Sequence, residues 1–266
     1  MEYLKYEKEG SFFSEEKNIG VIKLNKPESL NSLSAGLLEE LDRLLDEIEA
    51  DPEVRVVVIT AEGQKIFSAG ADLKVASKIE TEQEVRTLIE KGQAVYRKLE
   101  NLSCPTICGI NALCLGGGLE MALACDIRIA AEEAKLGSPE VSIGLIPAWG
   151  GSQRLPRILG RGRAMELALT GGMVSAKEAL DMGLVNKVVP FDELESTINF
   201  TAAKIAGNAP IAVKLAKKCV NASFTISIEE GNKKEADAGV ACFKTQDIRE
   251  GIQAVFEKRK GDFKGK

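Results

Sequence analysis

Two glutamates and two glycine turns are the residues here whose types and spacing could do chemistry. Glu120 follows three consecutive glycines in "CLGGGLEMALACD" (114 to 126) and opens an apolar stretch; Glu140 follows a proline in "GSPEVSIGLIP". A second turn, "SAGADL", puts Gly70 and Ala71 just before Asp72, a good helix N-cap. Each turn would leave backbone N–H groups unpaired at a helix start. Two such donors aimed at one oxygen form an oxyanion hole, and the dipole behind Gly117 would add positive potential there. The chain has no histidine, which excludes imidazole-based nucleophilic sites and histidine metal sites. Acid–base work then falls to carboxylates, Lys, Tyr or Cys.

Each feature taken singly also has a plain structural account. The glycines permit tight turns or close helix–strand packing. A carboxylate in the first turn of a helix suits the dipole, which by itself would explain Glu120. Glu140 reads either as a solvated loop residue or, because apolar residues follow it, as a carboxylate in buried surroundings, where it needs partners. Glu132 and Glu133 read as solvated turn residues. Neither glycine turn matches a dinucleotide or Walker-type phosphate loop.

The elements that must position these residues alternate between strand and helix. "NIGVIKLN" (18 to 25) alternates as a strand does, and "VRVVVIT" (54 to 60) is a β-branched run expected to be buried on both faces. Helical spacing covers 34 to 51, with Ser34 as N-cap, and 81 to 101. "IFSAGADL" (66 to 73) reads as a turn, "PTICGINALC" (105 to 114) as one strand, "GLEMALAC" (118 to 125) as a helix, and 126 to 131 and 134 to 141 as short strands. This predicts an α/β layered core with parallel pairing. After about residue 150 the pattern is mainly helical and closes in a helix capped at Thr245.

Bulk properties set limits. The chain has 266 residues, 44% hydrophobic and 28% charged, which is ordinary for a globular protein with a sizeable core. Its net charge of -5 argues against nucleic acid or an anionic membrane as the main partner. No apolar run is long enough to span a bilayer and the N-terminus has no signal-peptide core, so a cytoplasmic location is expected. The six cysteines are scattered without paired zinc spacing, and no metal is expected.

Six segments, in this order, resemble the enoyl-CoA hydratase/isomerase (crotonase) family: "NKPESLNSLS", "IFSAGADLK", "GINALCLGGGLEMALACDIRIA", "LGSPEVSIGLIPAWGGSQRLPRILG", "SAKEALDMGLVNKVV" and "EGIQAVFEKRK". They span nearly the whole chain, and the likeness is strongest to a short-chain enoyl-CoA hydratase. The resemblance implies a spiral of β-β-α turns (1–200) followed by a C-terminal helical region (201–266) that builds homotrimers, often stacked as hexamers. It implies an acyl-CoA thioester substrate and no further cofactor, coenzyme A being part of the substrate. The thioester oxygen would sit between the N–H groups of Ala71 and Gly117. Glu120 would activate and orient a water, and Glu140 would deliver the proton to Cα. Coenzyme A would lie along Ala69, Ala71, Asp72, Leu73 and Lys74, with Lys258 reaching its nucleotide part. The position three before Lys258, where the resemblance implies an aromatic, is Val255, and Phe256 follows it. Trp149 would stand beside the acyl chain.

Both glutamates are present, which favours hydration of 2-enoyl-CoA, within fatty-acid or related acyl-CoA degradation. A branched, cyclic or dienoyl thioester, or enoyl isomerisation, is the alternative. A non-catalytic RNA-binding role, known in the resembled family, is opposed by the acidic balance and the lack of interleaved basic and aromatic residues.

Overall fold

The computed structural model describes residues 1–8 and 18–266. Its centre is a sheet of β1 (Leu4–Glu7), β2 (Ile19–Leu24), β3 (Val56–Ala61), β5 (Thr106–Ile110), β7 (Ile127–Ala131) and β10 (Lys187–Val189), in that order. All its neighbours are parallel except β1, which pairs antiparallel with β2. A smaller sheet orders β4 (Ile66–Ser68), β6 (Leu113–Leu115), β8 (Lys135–Gly137) and β9 (Met173–Ser175).

The β-branched run in β3 is buried along its full length, as expected. Val57 and Ile59 join the core shared with α1 (Ala35–Ala50), α3 (Glu82–Glu100) and α4 (Gly117–Leu123). Val56 and Val58 face the other way, onto Leu194, Ile198 and Ala202 of α8 (Phe191–Ala206). Period-2 alternation thus feeds two cores from one strand. Ser34 caps α1 by accepting from Leu37 N at 3.2 Å, and a Thr81–Glu84 capping box opens α3.

The chain winds by visiting the large sheet, then the small sheet, then a helix. One winding is β3, β4, α2 (Leu73–Ala76) and α3; the next is β5, β6 and α4. The third runs through β7 and β8 into α5 (Gly151–Leu159) and α6 (Arg161–Thr170). This β-β-α spiral corrects the segment boundaries expected from sequence. Residues 105 to 114 are two strands in different sheets. At the break, Asn111 Nδ2 donates to Ala61 O and Gly63 O, tying the crossing to the end of β3. Residues 66 to 68 are a strand, not part of a turn, and pair with β6. The strand expected over 134 to 141 stops at Gly137, because Pro139 offers no N–H and heads a 3-10 turn, Glu140–Ile143. β9 and β10 interrupt the helical pattern expected after residue 150, with α7 (Ala176–Asp181) between them.

The last helices are α9 (Pro210–Ala222), α10 (Ile228–Phe243) and α11 (Gln246–Glu257), the last capped at Thr245 as expected. Lys217 of α9 reaches Asp126 Oδ2 at 2.8 Å and Cys104 O at 3.0 Å, and Asn221 donates to Glu100 O at 3.2 Å. All six cysteines are free, and Cys104, Cys108, Cys114 and Cys125 are buried. Among the described residues, no helix is long and apolar enough to cross a membrane.

Candidate active site

The two glycine turns lie against each other. Gly70 has φ +91, and a Cβ there would meet Leu115 O at 2.9 Å and Gly117 N at 3.1 Å. Gly116 has φ +52 at the mouth of α4. Glycine is therefore required at both positions by backbone conformation, and at Gly70 also by contact with the opposite turn. Side chains that sequence reasoning did not single out hold the first turn. Asn31, buried and left-handed at φ 48, donates from Nδ2 to Phe67 O at 3.0 Å. Ser68 Oγ donates to Asn31 O at 2.8 Å and accepts from Gly70 N at 3.1 Å. Asn is one of the few non-glycine residues at ease in this conformation, so the second Asn in "NKPESLNSLS" was the available signal.

Leu33 N donates to Gly70 O at 2.8 Å, and Asp72 N donates to Leu33 O at 3.3 Å. That bridge pattern directs the N–H of Ala71, the residue between, away from Leu33. Neither the Ala71 nor the Gly117 N–H has an acceptor among the described residues. Ala69 N donates to Leu30 O at 3.0 Å. Asp72 caps α2 by accepting from Lys74 N at 2.9 Å and Val75 N at 3.3 Å, while Leu73 and Lys74 are exposed.

Glu120 lies in the first turn of α4 and is only 4% exposed. Its Oε1 accepts from Trp149 N at 2.8 Å and Gly151 N at 2.7 Å. Its carboxyl is raised from 4.5 to about 7, chiefly by burial and further by the charge of Glu140, against the pull of the two N–H groups and Arg154. Oε2 has no hydrogen-bond partner among the described residues. Glu140 opens the 3-10 turn, and its Oε2 accepts from Ser138 Oγ at 2.7 Å. Its Oε1 is buried without a partner among the described residues and lies 3.3 Å from where a Cβ on Gly116 would stand. Each carboxylate thus has one oxygen anchored and one unbonded. The apolar residues after Glu140 do not enclose it: Ile143, Leu145 and Ile146 are exposed, contrary to the buried surroundings that they suggested. Glu132 and Glu133 are exposed, as expected.

Trp149 is 5% exposed. Its indole fills the space over Gly92 of α3, where a Cβ would come within 2.5 Å, and over Gly117 of α4, where one would come within 2.6 Å. Tyr96 meets it edge-on at 5.9 Å and donates to Gly117 O at 2.8 Å. The turn that carries Trp149 therefore supplies both the anchor of Glu120 and a wall against Gly117. Tyr96 was not legible as a site residue, because its partner is a backbone carbonyl distant in sequence; Ser138 stands two residues before the glutamate it anchors, so its place in "GSPEV" was the available signal. Lys258 stands apart, exposed at the end of α11, with no hydrogen bond or ion pair to these turns among the described residues. Val255 and Phe256 beside it are exposed as well.

Residues 14–266 match the family model described as enoyl-CoA hydratase/isomerase. A short-chain-enoyl-CoA hydratase of Clostridium acetobutylicum is 43% identical over 92% of this chain and 94% of its own length. A crotonyl-CoA hydratase of Syntrophomonas wolfei is 39% identical over 96% and 98%. The crystal structure of an enoyl-CoA hydratase from Bacillus anthracis superposes with a TM-score of 0.94 at 41% identity, covering 99% of this chain and all of that one. With the paired carboxylates and facing amide turns in place, these matches establish that the chain belongs to the enoyl-CoA hydratase/isomerase family.

Proposed function

We propose that this protein adds water across the double bond of short-chain 2-enoyl-CoA thioesters, and catalyses the reverse dehydration. The observation that carries the proposal is the matched state of the two glutamates: among the described residues each has one oxygen fixed and the other unbonded, beside two N–H groups without acceptors. The thioester oxygen is assigned to the N–H groups of Ala71 and Gly117. Polarisation there makes Cβ electrophilic and stabilises the enolate that forms on attack, an effect worth about 10²–10³ in rate per donor. Glu120 takes a proton from water as the oxygen bonds to Cβ, and Glu140 gives a proton to Cα. One proton is taken and one given, and exchange between the two carboxylates restores the starting state. A base that titrates near neutrality suits this task.

Coenzyme A is assigned to the exposed turn Ala69–Lys74, with Lys258 on its nucleotide part; no separate cofactor or metal takes part. Trp149 is assigned to the acyl site, on the ground that its indole abuts Gly117. The names of the relatives, short-chain and crotonyl, favour a short acyl group. A role in fatty-acid or related acyl-CoA breakdown in the cytoplasm, and assembly as a trimer or dimer of trimers through the region 201–266, complete the reading.

The test is loss of the conjugated enoyl absorbance with a four-carbon thioester. Glu120→Gln and Glu140→Gln should each lose about 10²–10⁴ in kcat while binding thioester nearly as before. Near-wild-type turnover in either variant removes the two-carboxylate model.

A further inference from the structure

Arg154, in α5, lies outside every role assigned so far. Its side chain is 12% exposed and grips Glu100 at the end of α3 through two contacts, Nη2 to Oε2 at 2.8 Å and Nε to Oε1 at 3.3 Å. Its Nη1 donates to Trp149 O at 3.2 Å. Gly150, at φ +111, makes room for it: a Cβ on Gly150 would fall 2.1 Å from Nη1. The same turn sends its amides the other way, Trp149 N and Gly151 N both donating to Glu120 Oε1. The turn that holds Glu120 is thus itself held through its middle peptide, 149–150, whose carbonyl accepts from a guanidinium braced on a carboxylate.

We propose that Arg154 is a positioning residue for Glu120: braced on Glu100, it fixes the 149–151 turn that grips the carboxylate. This rests on the reading of Glu120 as the group that activates water. The groups that bear on Glu120 come from four elements: the Tyr96 hydroxyl from α3, Glu140 from the 3-10 turn, Arg154 from α5, and the dipole of its own α4. Burial and Glu140 push Glu120 toward the neutral acid; Arg154 is the one cation among them and opposes that push. An ammonium could supply the charge, but not the planar fork that spans Glu100 and a carbonyl together.

Three variants separate positioning from plain bracing of α3 against α5. Arg154→Gln removes charge and fork, Arg154→Lys keeps charge alone, and Glu100→Gln frees the guanidinium from its brace. Arg154→Gln should lower kcat by about 10- to 100-fold, the cost of a misplaced catalytic group, with KM for a four-carbon enoyl thioester changed by less than about two-fold. The acid limb of its kcat–pH profile should move to higher pH. Arg154→Lys should restore the limb but only part of kcat, and Glu100→Gln should resemble it. A readout independent of turnover is the carboxyl titration of Glu120 by isotope-edited infrared spectroscopy, assigned by its loss in Glu120→Gln; it should move upward in Arg154→Gln. A folded Arg154→Gln protein with lowered Tm but wild-type kcat and pH profile overturns the proposal, as does an unmoved Glu120 titration. If the wild-type chain hydrates no enoyl thioester while the Glu120 titration still moves, Arg154 keeps its role and the hydration reading fails.

Discussion

Glu120 is a carboxylate placed where its charge is costly. Burial and the neighbouring Glu140 raise it from 4.5 to about 7, so the folded chain binds this proton more tightly than the unfolded chain does. The sign follows from linkage: stability associated with this group is fully present below the unfolded value near 4.5 and is lost as pH rises through about 7. The loss is on the order of 3 kcal/mol. Glu120→Gln cannot ionise, so it should gain stability over the wild type as pH rises from 5 to 8, and the gain should flatten above that. Chemical denaturation at a series of pH values measures it; a pH-independent difference would show that Glu120 is not perturbed. The two carboxylates were legible in the sequence because each follows a backbone-breaking residue and no histidine competes for the work. Their anchors were not. Trp149 and Gly151 serve Glu120 through main-chain amides, which residue type does not report, and Arg154 acts through a carbonyl.

At the level of elements, long periodic segments were legible, as was the five-residue β7, and most three-residue strands were not. α1 and α3 could be read within one or two residues because their apolar spacing is sustained, and Ser34 was legible as the cap of α1 while the Thr81–Glu84 box of α3 was not read. β4, β6 and β9, three residues each and too short for any period to show, were not read as separate strands; with β8, which was read but carried past Gly137, they form the second sheet, and β4 and β6 lead into the glycine turns. The β-β-α spiral was expected from family likeness, not from periodicity. Trp149 joins two of these elements, α3 at Gly92 and α4 at Gly117, so its replacement tests packing and pocket together. Trp149→Ala should cost about 3–5 kcal/mol, the usual price of truncating a buried aromatic. In the protein that remains folded, the kcat/KM ratio of a ten-carbon to a four-carbon enoyl thioester should rise about tenfold or more, since each methylene accommodated is worth about 1–3 kcal/mol. An unchanged ratio would confine Trp149 to packing.

The whole molecule leaves large apolar side chains exposed on its last three helices and the turn after α9. Ile228 and Phe243 of α10 are 74% and 75% exposed, and Val220, Phe224, Val255 and Phe256 are exposed with them. None of the six belongs to either core cluster, so the fold of one chain does not use them. Exposed apolar side chains in this number on neighbouring helices are what an interface between chains would cover, and closed symmetric rings are the common way for identical chains to cover them. Each buried side chain of this size contributes about 1.5–3 kcal/mol, so six per subunit are ample for stable assembly. Sedimentation at micromolar concentration should therefore give three or six times the 28.6 kDa of one chain. Ile228→Asp with Phe243→Asp should reduce the mass to that of one chain, with circular dichroism of the spiral retained. Activity should fall with the mass, because α9 is tied to the site through Asn221 and Glu100, the brace of Arg154. A wild-type monomer would contradict assembly through these helices; a double variant that keeps its mass would place the interface elsewhere, and a monomeric variant with full activity would separate assembly from catalysis.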